Sequence, residues 1–287
     1  MDAVQQRFGG RTLAVATMHG KERVIGPALC AVLPLAGFAA IPDLDTDRFG
    51  AFSGEVERTH DPRTAALHKA RHGAERSGMD LVIASEGSFV PYPPAPFLTC
   101  DEEWLVLYDA RDGRHWAHRH VTLETMAGGE ECRTMEQVRA FAQRIGFPSH
   151  GLVLKPQERW REGDAVIKGV EDRDALEVHA ARIIGAHGTV WAECDLRAML
   201  NPTRMAVIRA TAERFAQELA RCCPACGEPH FAITEAVPGL PCGLCGMPTR
   251  STLFHLRNCG RCGHSAQEPR EDARVSEDPQ YCDHCNP

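Results

Sequence analysis

The sequence predicts a layered α/β protein with a mostly parallel sheet and one antiparallel hairpin, followed by a small cysteine-rich domain. Short apolar runs alternate with helix-like stretches through the first 221 residues, which is typical of α/β domains. Nine of the 13 cysteines fall between Cys222 and Cys285, and the chain has 287 residues, about twice the length of a typical domain. We therefore expect two domains, 1–221 and 222–287.

The individual elements are predicted from hydrophobic periodicity and from residues that begin or end helices and strands. Apolar or β-branched runs predict strands at 12–17, 37–41, 80–84, 104–108, 115–122, 151–154, 165–167 and 189–193. Helical spacing predicts helices at 27–33, 65–76, 135–145 and 173–184. Asn201 and Pro202 then begin a last helix, as a cap and a first-turn proline. The turn from Asp109 to Gly113 predicts the hairpin.

Composition and charge narrow the class of protein. Apolar residues make up 43% of the chain, no apolar run is long enough for a membrane span, and the first residues lack the apolar stretch of a signal peptide. We expect a cytoplasmic protein that does not enter the membrane. Lys and Arg number 32 against 39 Asp and Glu, a net negative charge that makes nucleic acid an unlikely partner.

The cysteines of the tail form four C-x2-C pairs, each of which places two thiolates on one tight turn. The pairs are Cys223 with Cys226, Cys242 with Cys245, Cys259 with Cys262, and Cys282 with Cys285. Cytosolic cysteines stay reduced, which favours metal ligation over disulfides. Gly227, Gly246 and Gly263 follow second cysteines of pairs, as suits a left-handed turn.

Fifteen residues separate Cys226 from Cys242 and 19 separate Cys262 from Cys282, spacings typical of four-cysteine zinc sites. Sequential pairing gives two zinc ribbons with two structural Zn²⁺ ions. A cross-braced pairing of the first knuckle with the third, and the second with the fourth, uses the same eight ligands. A redox motif or an iron–sulfur cluster is the less favoured alternative. Four thiolates close a zinc site, so these ions are expected to be structural rather than catalytic.

Polar residues follow several predicted strands, where open α/β sheets place their ligand sites. His19 and Lys21 follow the first strand and Glu86 follows the third. Glu193 and Asp195, two residues apart in the last strand, would point to one side and could hold Mg²⁺ or Mn²⁺ or move protons. An internal salt-bridge network is an equally good interpretation of these carboxylates.

Several basic residues could hold an anion beside those carboxylates. Arg197 and Arg204 suit bidentate binding of a phosphate or carboxylate, and Lys21 and Lys168 would add positive charge. The stretch around Lys21 lacks the glycines of a nucleotide-binding fingerprint, and the one around Glu86 is not a nucleophile elbow. His118 and His120 are spaced like ligands, and the other histidines are expected on the surface.

Seven short motifs resemble a bacterial family of uncharacterised proteins, classified as a domain of unknown function with a C-terminal zinc-ribbon tail. They are TMHGKE at 17–22, FSGEVER at 52–58, ASEGSF at 84–89, DLRA at 195–198, NPTRM at 201–205, GLPC at 239–242 and CNP at 285–287. The resemblance covers most of the chain but implies no reaction, substrate or partner. It favours a polar site made of Glu55, Glu86, Glu193, Asp195 and Arg204.

Two functions remain open at this point. The first is an enzyme that acts on a small anionic, phosphorylated substrate, with Glu55, Glu86, Glu193 and Asp195 as catalytic residues. The second is a non-catalytic adaptor whose zinc ribbons bind a protein or nucleic-acid partner. The enzyme is favoured slightly, because an adaptor does not explain so many polar residues after strand ends.

Overall fold

The computed structural model describes residues 3–42, 60–159 and 161–287. Its first sheet has the strand order β2-β1-β3-β4-β5. The strands are β1 (Thr12–Ala16), β2 (Gly37–Ala40), β3 (Leu81–Tyr92), β4 (Ala95–Asp109) and β5 (Arg114–Thr122). Strand β1 runs parallel to β2 and β3, whereas β3–β4 and β4–β5 are antiparallel. Helices α2 (Glu22–Cys30) and α3 (Pro62–Ser77) make the crossovers.

The second sheet is antiparallel throughout, with the order β6-β9-β7-β8. Its strands are β6 (Gly129–Cys132), β7 (Leu152–Lys155), β8 (Ile167–Val170) and β9 (Val190–Cys194). Helices α4 (Met135–Arg144) and α5 (Arg173–His187) contribute Val138, Phe141, Leu176 and Ile183 to one apolar core with these strands. This buried core accounts for the helical spacing seen in the sequence.

The prediction of a mostly parallel sheet is not confirmed. Among the described strands, parallel pairing is confined to β1 and its two neighbours. Strand–helix alternation arises here in two ways, through parallel crossovers and through an antiparallel sheet with helices between its strands. The alternation alone does not distinguish these two arrangements.

Strand β3 also continues far beyond its predicted end at residue 84. Pairing of β1 with β3 ends at Ala16 and Ala84, but β3 pairs with β4 from Leu81 to Tyr92. The polar run Ser85–Ser88 is therefore strand, not loop. This run extends past β1, and its Ser85 and Glu86 contact Lys21 and Lys69.

Local capping explains why most predicted helices are close to the observed ones. Asp61 accepts a hydrogen bond from the Thr64 amide at the start of α3, and Thr134 forms a capping box with Gln137 at α4. Helix α2 is the exception, because it begins at Glu22 with Pro27 inside it rather than at its first turn. Capping signals thus fix helix starts better than proline alone.

The chain divides into two compact units. The larger is Gly10–Phe215, and the smaller combines Met1–Gly9 with Ala216–Pro287. The smaller unit includes residues 1–9, which the predicted division at residue 221 assigns to the α/β domain. Helix α6 (Pro202–Ala220) begins in the larger unit, as the Asn201 and Pro202 signal predicts, and ends in the smaller.

The smaller unit contains helix α1 (Ala3–Phe8) and a three-stranded antiparallel sheet. Its strands, in the order β10-β11-β12, are β10 (Ala232–Pro238), β11 (Thr252–Asn258) and β12 (Ser265–Pro269). A compact apolar cluster of Cys223, Phe231 and Cys259 lies beside this sheet. Within the described residues, no helix combines the length and apolar character that crossing a membrane requires.

Candidate functional site

Six charged side chains are buried together where β3 and β4 extend beyond the end of β1. Each is no more than 7% exposed. We call them the sheet-end cluster: Lys21, Lys69, Glu86, Asp101, Glu103 and Arg204. Charged side chains are rarely buried to this degree without specific partners, so the contacts of each one decide what the cluster can do.

Direct polar contacts position both lysines. Lys69, on the inner face of α3, pairs with the Glu86 carboxylate. Lys21 lies at the start of α2, and its Nζ donates a hydrogen bond to Ser85 Oγ at 2.9 Å. Both contacts are made to the part of β3 that continues past β1. The end of β1 therefore brings Lys21 to the carboxyl edge of its sheet.

Arg204 is held by contacts from three directions. Its Nε donates to Glu103 Oε1 at 2.6 Å and its Nη1 to the Leu196 carbonyl at 2.5 Å. The Asn201 side chain caps α6 by accepting from the Arg204 amide at 2.9 Å. A Cβ on Gly87 would lie 2.1 Å from Arg204 Nη2. Glycine at that position is therefore what allows the guanidinium to approach the sheet.

Asp101 and Glu103 present oxygens that no group among the described residues satisfies. Neither oxygen of Asp101, nor Glu103 Oε2, has a hydrogen-bond partner among the described residues. The two side chains are 0% and 1% exposed. They lie two residues apart on β4 and so point to the same face of the sheet. Unsatisfied buried polar atoms are rare and costly, which makes this pair the most unusual feature of the cluster.

Burial moves the pKa values of two members of the cluster in the direction that favours their uncharged forms. Burial and then the Glu103 charge raise the pKa of the Asp101 carboxyl to about 8, against the opposing effects of Arg204 and Lys21. Burial and then the Arg204 charge lower the pKa of Lys21 to about 8. Groups whose pKa lies close to the working pH are suited to proton transfer.

Two histidines share the face of the sheet that carries Glu103. His120 lies opposite Glu103 on β5, and His118 lies opposite Leu105. The His118 ring stacks on Phe215 with centroids 5.9 Å apart. Burial, followed by the charge of Arg214, lowers the pKa of His120. These histidines, noted in the sequence for their spacing, line one side of the cluster.

The structure brings together three of the site residues that the sequence predicted, Lys21, Glu86 and Arg204. Glu193 and Asp195 lie instead at the second sheet, each with its own protein partners. Glu193 pairs with Lys155 Nζ at 2.9 Å and accepts from Trp191 Nε1 at 2.8 Å. These contacts match the internal salt-bridge interpretation of the sequence.

Asp195 is similarly occupied by protein groups. It accepts from Arg197 Nη2 at 2.7 Å, from the Arg197 amide at 3.0 Å and from the Gly169 amide at 3.1 Å. Arg197 thus pairs with Asp195, and Lys168 lies in β8, next to Gly169. His19 is in the loop after β1, where its amide donates to Thr17 Oγ1. Glu55 lies outside the described residues.

Sequence reasoning missed Lys69, Asp101 and Glu103, although the sequence contains a signal for them. Asp101 and Glu103 occupy every second position of β4, in line with Leu105 and Leu107, which are fully buried core residues. Lys69 falls four residues after Ala65 on the apolar face of α3. Charges that take core positions in an apolar pattern are the signal that identifies such a site.

The tail cysteines form two four-cysteine clusters that could hold metal ions. One contains Cys223, Cys226, Cys259 and Cys262, and the other contains Cys242, Cys245, Cys282 and Cys285. Within each cluster the sulfurs lie within 4.8 Å of one another, with close pairs at 3.6–3.9 Å. A tetrahedral zinc ion with bonds of about 2.3 Å places its sulfurs about 3.8 Å apart. The sulfur positions therefore fit this ion.

The clusters are cross-braced, which decides between the two pairings that the spacing left open. The cause is the antiparallel pairing of Ala232 with Asn258, which brings the start of β10 next to the end of β11. The first knuckle precedes β10 and the third follows β11. A bridge between Cys242 and Glu277 likewise brings together the chain segments of the second and fourth knuckles.

Three knuckles share the turn that their glycines predict. Gly227, Gly246 and Gly263 have φ of 72–73°, and each amide donates to the carbonyl of the first cysteine of its pair. Amides of Cys245 and Leu244 point at Cys242 Sγ and lower the pKa of that thiol to about 7. Amide donors of this kind stabilise the thiolate that binds a metal.

Comparison with known proteins identifies the family but no activity. The model of one family, a domain of unknown function (DUF6671), matches residues 69–287. The matched range includes both cysteine clusters and every member of the sheet-end cluster except Lys21. No curated protein matches the sequence. With about three quarters of its length covered by that model, this chain belongs to the DUF6671 family.

Proposed function

We propose that the chain is an enzyme that acts on a small anionic, phosphorylated substrate at the sheet-end cluster. One observation carries the proposal. The buried carboxylates of Asp101 and Glu103 keep oxygens without a partner in the described part of the chain, while Lys21 and Arg204 lie beside them. The cluster also lies at the carboxyl end of β1, where α/β sheets place their ligands.

A purely structural role explains the cluster poorly. Burying ionised groups costs several kcal/mol each, and apolar residues of similar size often serve stability as well or better. The Arg11–Asp109 pair shows how this protein stabilises buried charge structurally, with two bonds of 2.7 and 2.9 Å. Asp101 has no such partner within residues 3–42, 60–159 and 161–287, so its retention points to a ligand.

The chemistry follows from the charges that surround those oxygens. Lys21 and Arg204 would bind phosphate oxygens and neutralise the charge that develops on them during reaction. Phosphoryl transfer depends mainly on positioning and electrostatics, which a buried, preorganised cluster supplies. Asp101 and Glu103 would move protons or hold a divalent ion beside the substrate.

Both four-cysteine clusters would hold structural Zn²⁺ in this proposal. The sulfur spacing supports zinc, and four thiolates leave no open position for a reacting water. The metal would therefore stabilise the tail without taking part in the reaction. Cytoplasmic reducing conditions would keep the thiols available for the metal.

An adaptor function is the second candidate, and exposed apolar side chains near the second cysteine cluster favour it. Leu244 is 73% exposed, Tyr281 62% and Met247 50%. All three lie within two residues of a cysteine of that cluster. Apolar groups displayed on a rigid metal-bound turn suit a protein partner. This candidate explains the tail but leaves the sheet-end cluster without a role.

Phosphate release from a panel of phosphoesters and phosphoanhydrides, with Mg²⁺ present, tests the enzyme proposal. Lys21→Gln should lower turnover by about 100-fold or more, as loss of a charge-stabilising group does. Lys168→Gln is the matched control, because Lys168 has the same predicted role but lies in the second sheet. Equal losses in both variants, or no turnover of any compound by wild type, would contradict the proposal.

A further inference from the structure

The three unsatisfied oxygens of β4 form one group on one face of the sheet. Glu103 uses Oε1 for Arg204 and leaves Oε2 open, while both oxygens of Asp101 are open. Ser88, also buried, lies opposite Glu102 in the β3–β4 register and therefore on the other face. Asp101 and Glu103 thus offer open carboxylate oxygens on this face, and such oxygens are the ligands that hard cations prefer.

We propose that Asp101 and Glu103 bind one Mg²⁺ or Mn²⁺ ion, an inference that rests on the proposed function. The remaining ligands of this ion are water and phosphate oxygens of the substrate. Magnesium sites that handle phosphates usually take one or two carboxylates from the protein rather than a complete protein cage. In the part of the chain that the structure describes, groups of three or more His, Cys, Asp or Glu side chains close enough to share one metal ion occur only at the cysteine clusters. Two carboxylates are therefore what the described residues offer.

The charges around Asp101 and Glu103 should make the binding of the metal ion depend on the binding of an anion. On the face that carries Asp101 and Glu103, these two carboxylates balance Lys21 and Arg204 when all four are ionised. Glu86 lies opposite Trp104 and so points, with its partner Lys69, to the other face. A divalent ion then adds two positive charges, which a phosphate dianion offsets. Lys21 and Arg204 repel a metal that binds alone but attract phosphate. Metal and phosphate should consequently strengthen each other's binding, by the same factor in both directions.

Mn²⁺ titration of the full-length, zinc-loaded chain, followed by electron paramagnetic resonance with and without inorganic phosphate, tests the site. Thiolates prefer softer metals, so Mn²⁺ should leave the cysteine clusters untouched. We expect one Mn²⁺ per chain, tighter binding with phosphate, and a loss of at least about tenfold in affinity in Asp101→Asn. Glu102→Gln is the control, because Glu102 points to the opposite face and pairs with Arg119.

The outcomes separate this inference from the proposed function. Binding of Mn²⁺ that Asp101→Asn leaves unchanged, or no binding by wild type, overturns the metal site. If phosphate alone still binds and Lys21→Gln abolishes that binding, the proposed function stands without the metal. If neither ligand binds, both fail. A rise in the wild-type melting temperature with Mn²⁺ and phosphate checks the site without any variant, and no rise counts against it.

Discussion

Two aspartates on the same face of β4, Asp101 and Asp109, should respond in opposite ways to substitution by asparagine. Asp109 makes a double salt bridge to Arg11, whereas neither oxygen of Asp101 has a hydrogen-bond partner where the structure describes the chain. Removing one member of a buried ion pair costs about 3 kcal/mol or more. We expect Asp109→Asn to lower the free energy of unfolding by about that amount, and Asp101→Asn to leave it unchanged or raise it. Urea unfolding of the two variants measures the difference.

Only some of the residues in the sheet-end cluster could be assigned to a site from the sequence. Lys21, Glu86 and Arg204 belong to recognisable motifs, so the sequence could single them out. Glu193 and Asp195 looked equally suitable, yet their oxygens are held by Lys155, Trp191, Arg197 and Gly169. Which carboxylates find protein partners depends on tertiary contacts, and the sequence alone does not reveal those. A destabilised Asp109→Asn together with an equally destabilised Asp101→Asn would return Asp101 to a structural role.

Gly87 gives a second prediction at the residue scale. A Cβ there would lie 2.1 Å from Arg204 Nη2 and 2.5 Å from Glu103 Oε1, and both side chains are buried and hydrogen bonded to each other. Gly87→Ala should destabilise the protein by about 1–3 kcal/mol, the usual cost of overpacking. Thermal melting measures the loss. Gly128→Ala is the control, since nothing lies within 4 Å of its Cβ position, and it should melt like wild type.

Among the elements, helices were more predictable than strand pairing. The signals that begin α3, α4 and α5 act within three or four residues, through Asp61, Thr134 and Asp172. Strand pairing joins residues far apart in sequence, so neither the antiparallel second sheet nor the extension of β3 followed from local patterns. The cysteine knuckles show the same limit. Their ligands were evident from spacing, but their pairing depends on how β10 and β11 align.

Pairs of cysteine substitutions distinguish cross-braced from sequential ligation. Cys223 and Cys259 belong to one cluster, whereas Cys223 and Cys242 belong to different ones. The variant Cys223→Ser/Cys259→Ser should therefore keep about one of two zinc ions, and Cys223→Ser/Cys242→Ser should lose both. Elemental analysis of purified protein counts the ions. Sequential ligation predicts the reverse order of the two variants, and wild type with zinc content near zero would rule out zinc altogether.

The whole molecule combines two ways of stabilising a fold. The larger unit contains extended apolar clusters that include Leu152 and Leu176 in one and Val82 and Ile41 in another. In the smaller unit, two of the three buried residues in the apolar cluster beside the sheet are cysteines. Potential metal ligands therefore form part of its apolar interior, and small domains of this kind usually depend on metals. The two units should therefore respond differently when the metal is removed.

Chelation tests this division at the scale of the molecule. Structural zinc contributes about 10 kcal/mol or more of folding free energy per site, so a chelator should unfold the smaller unit and leave the larger one folded. Hydrogen exchange followed by mass spectrometry should show protection lost in β10 and β11 but kept in β1, β7 and β9. Re-addition of Zn²⁺ should restore it, because the ligands remain. Loss of protection in both units at the same chelator concentration would mean that the chain folds as one cooperative body, and the apolar clusters of the larger unit would then be insufficient to hold it without the metal-bound tail.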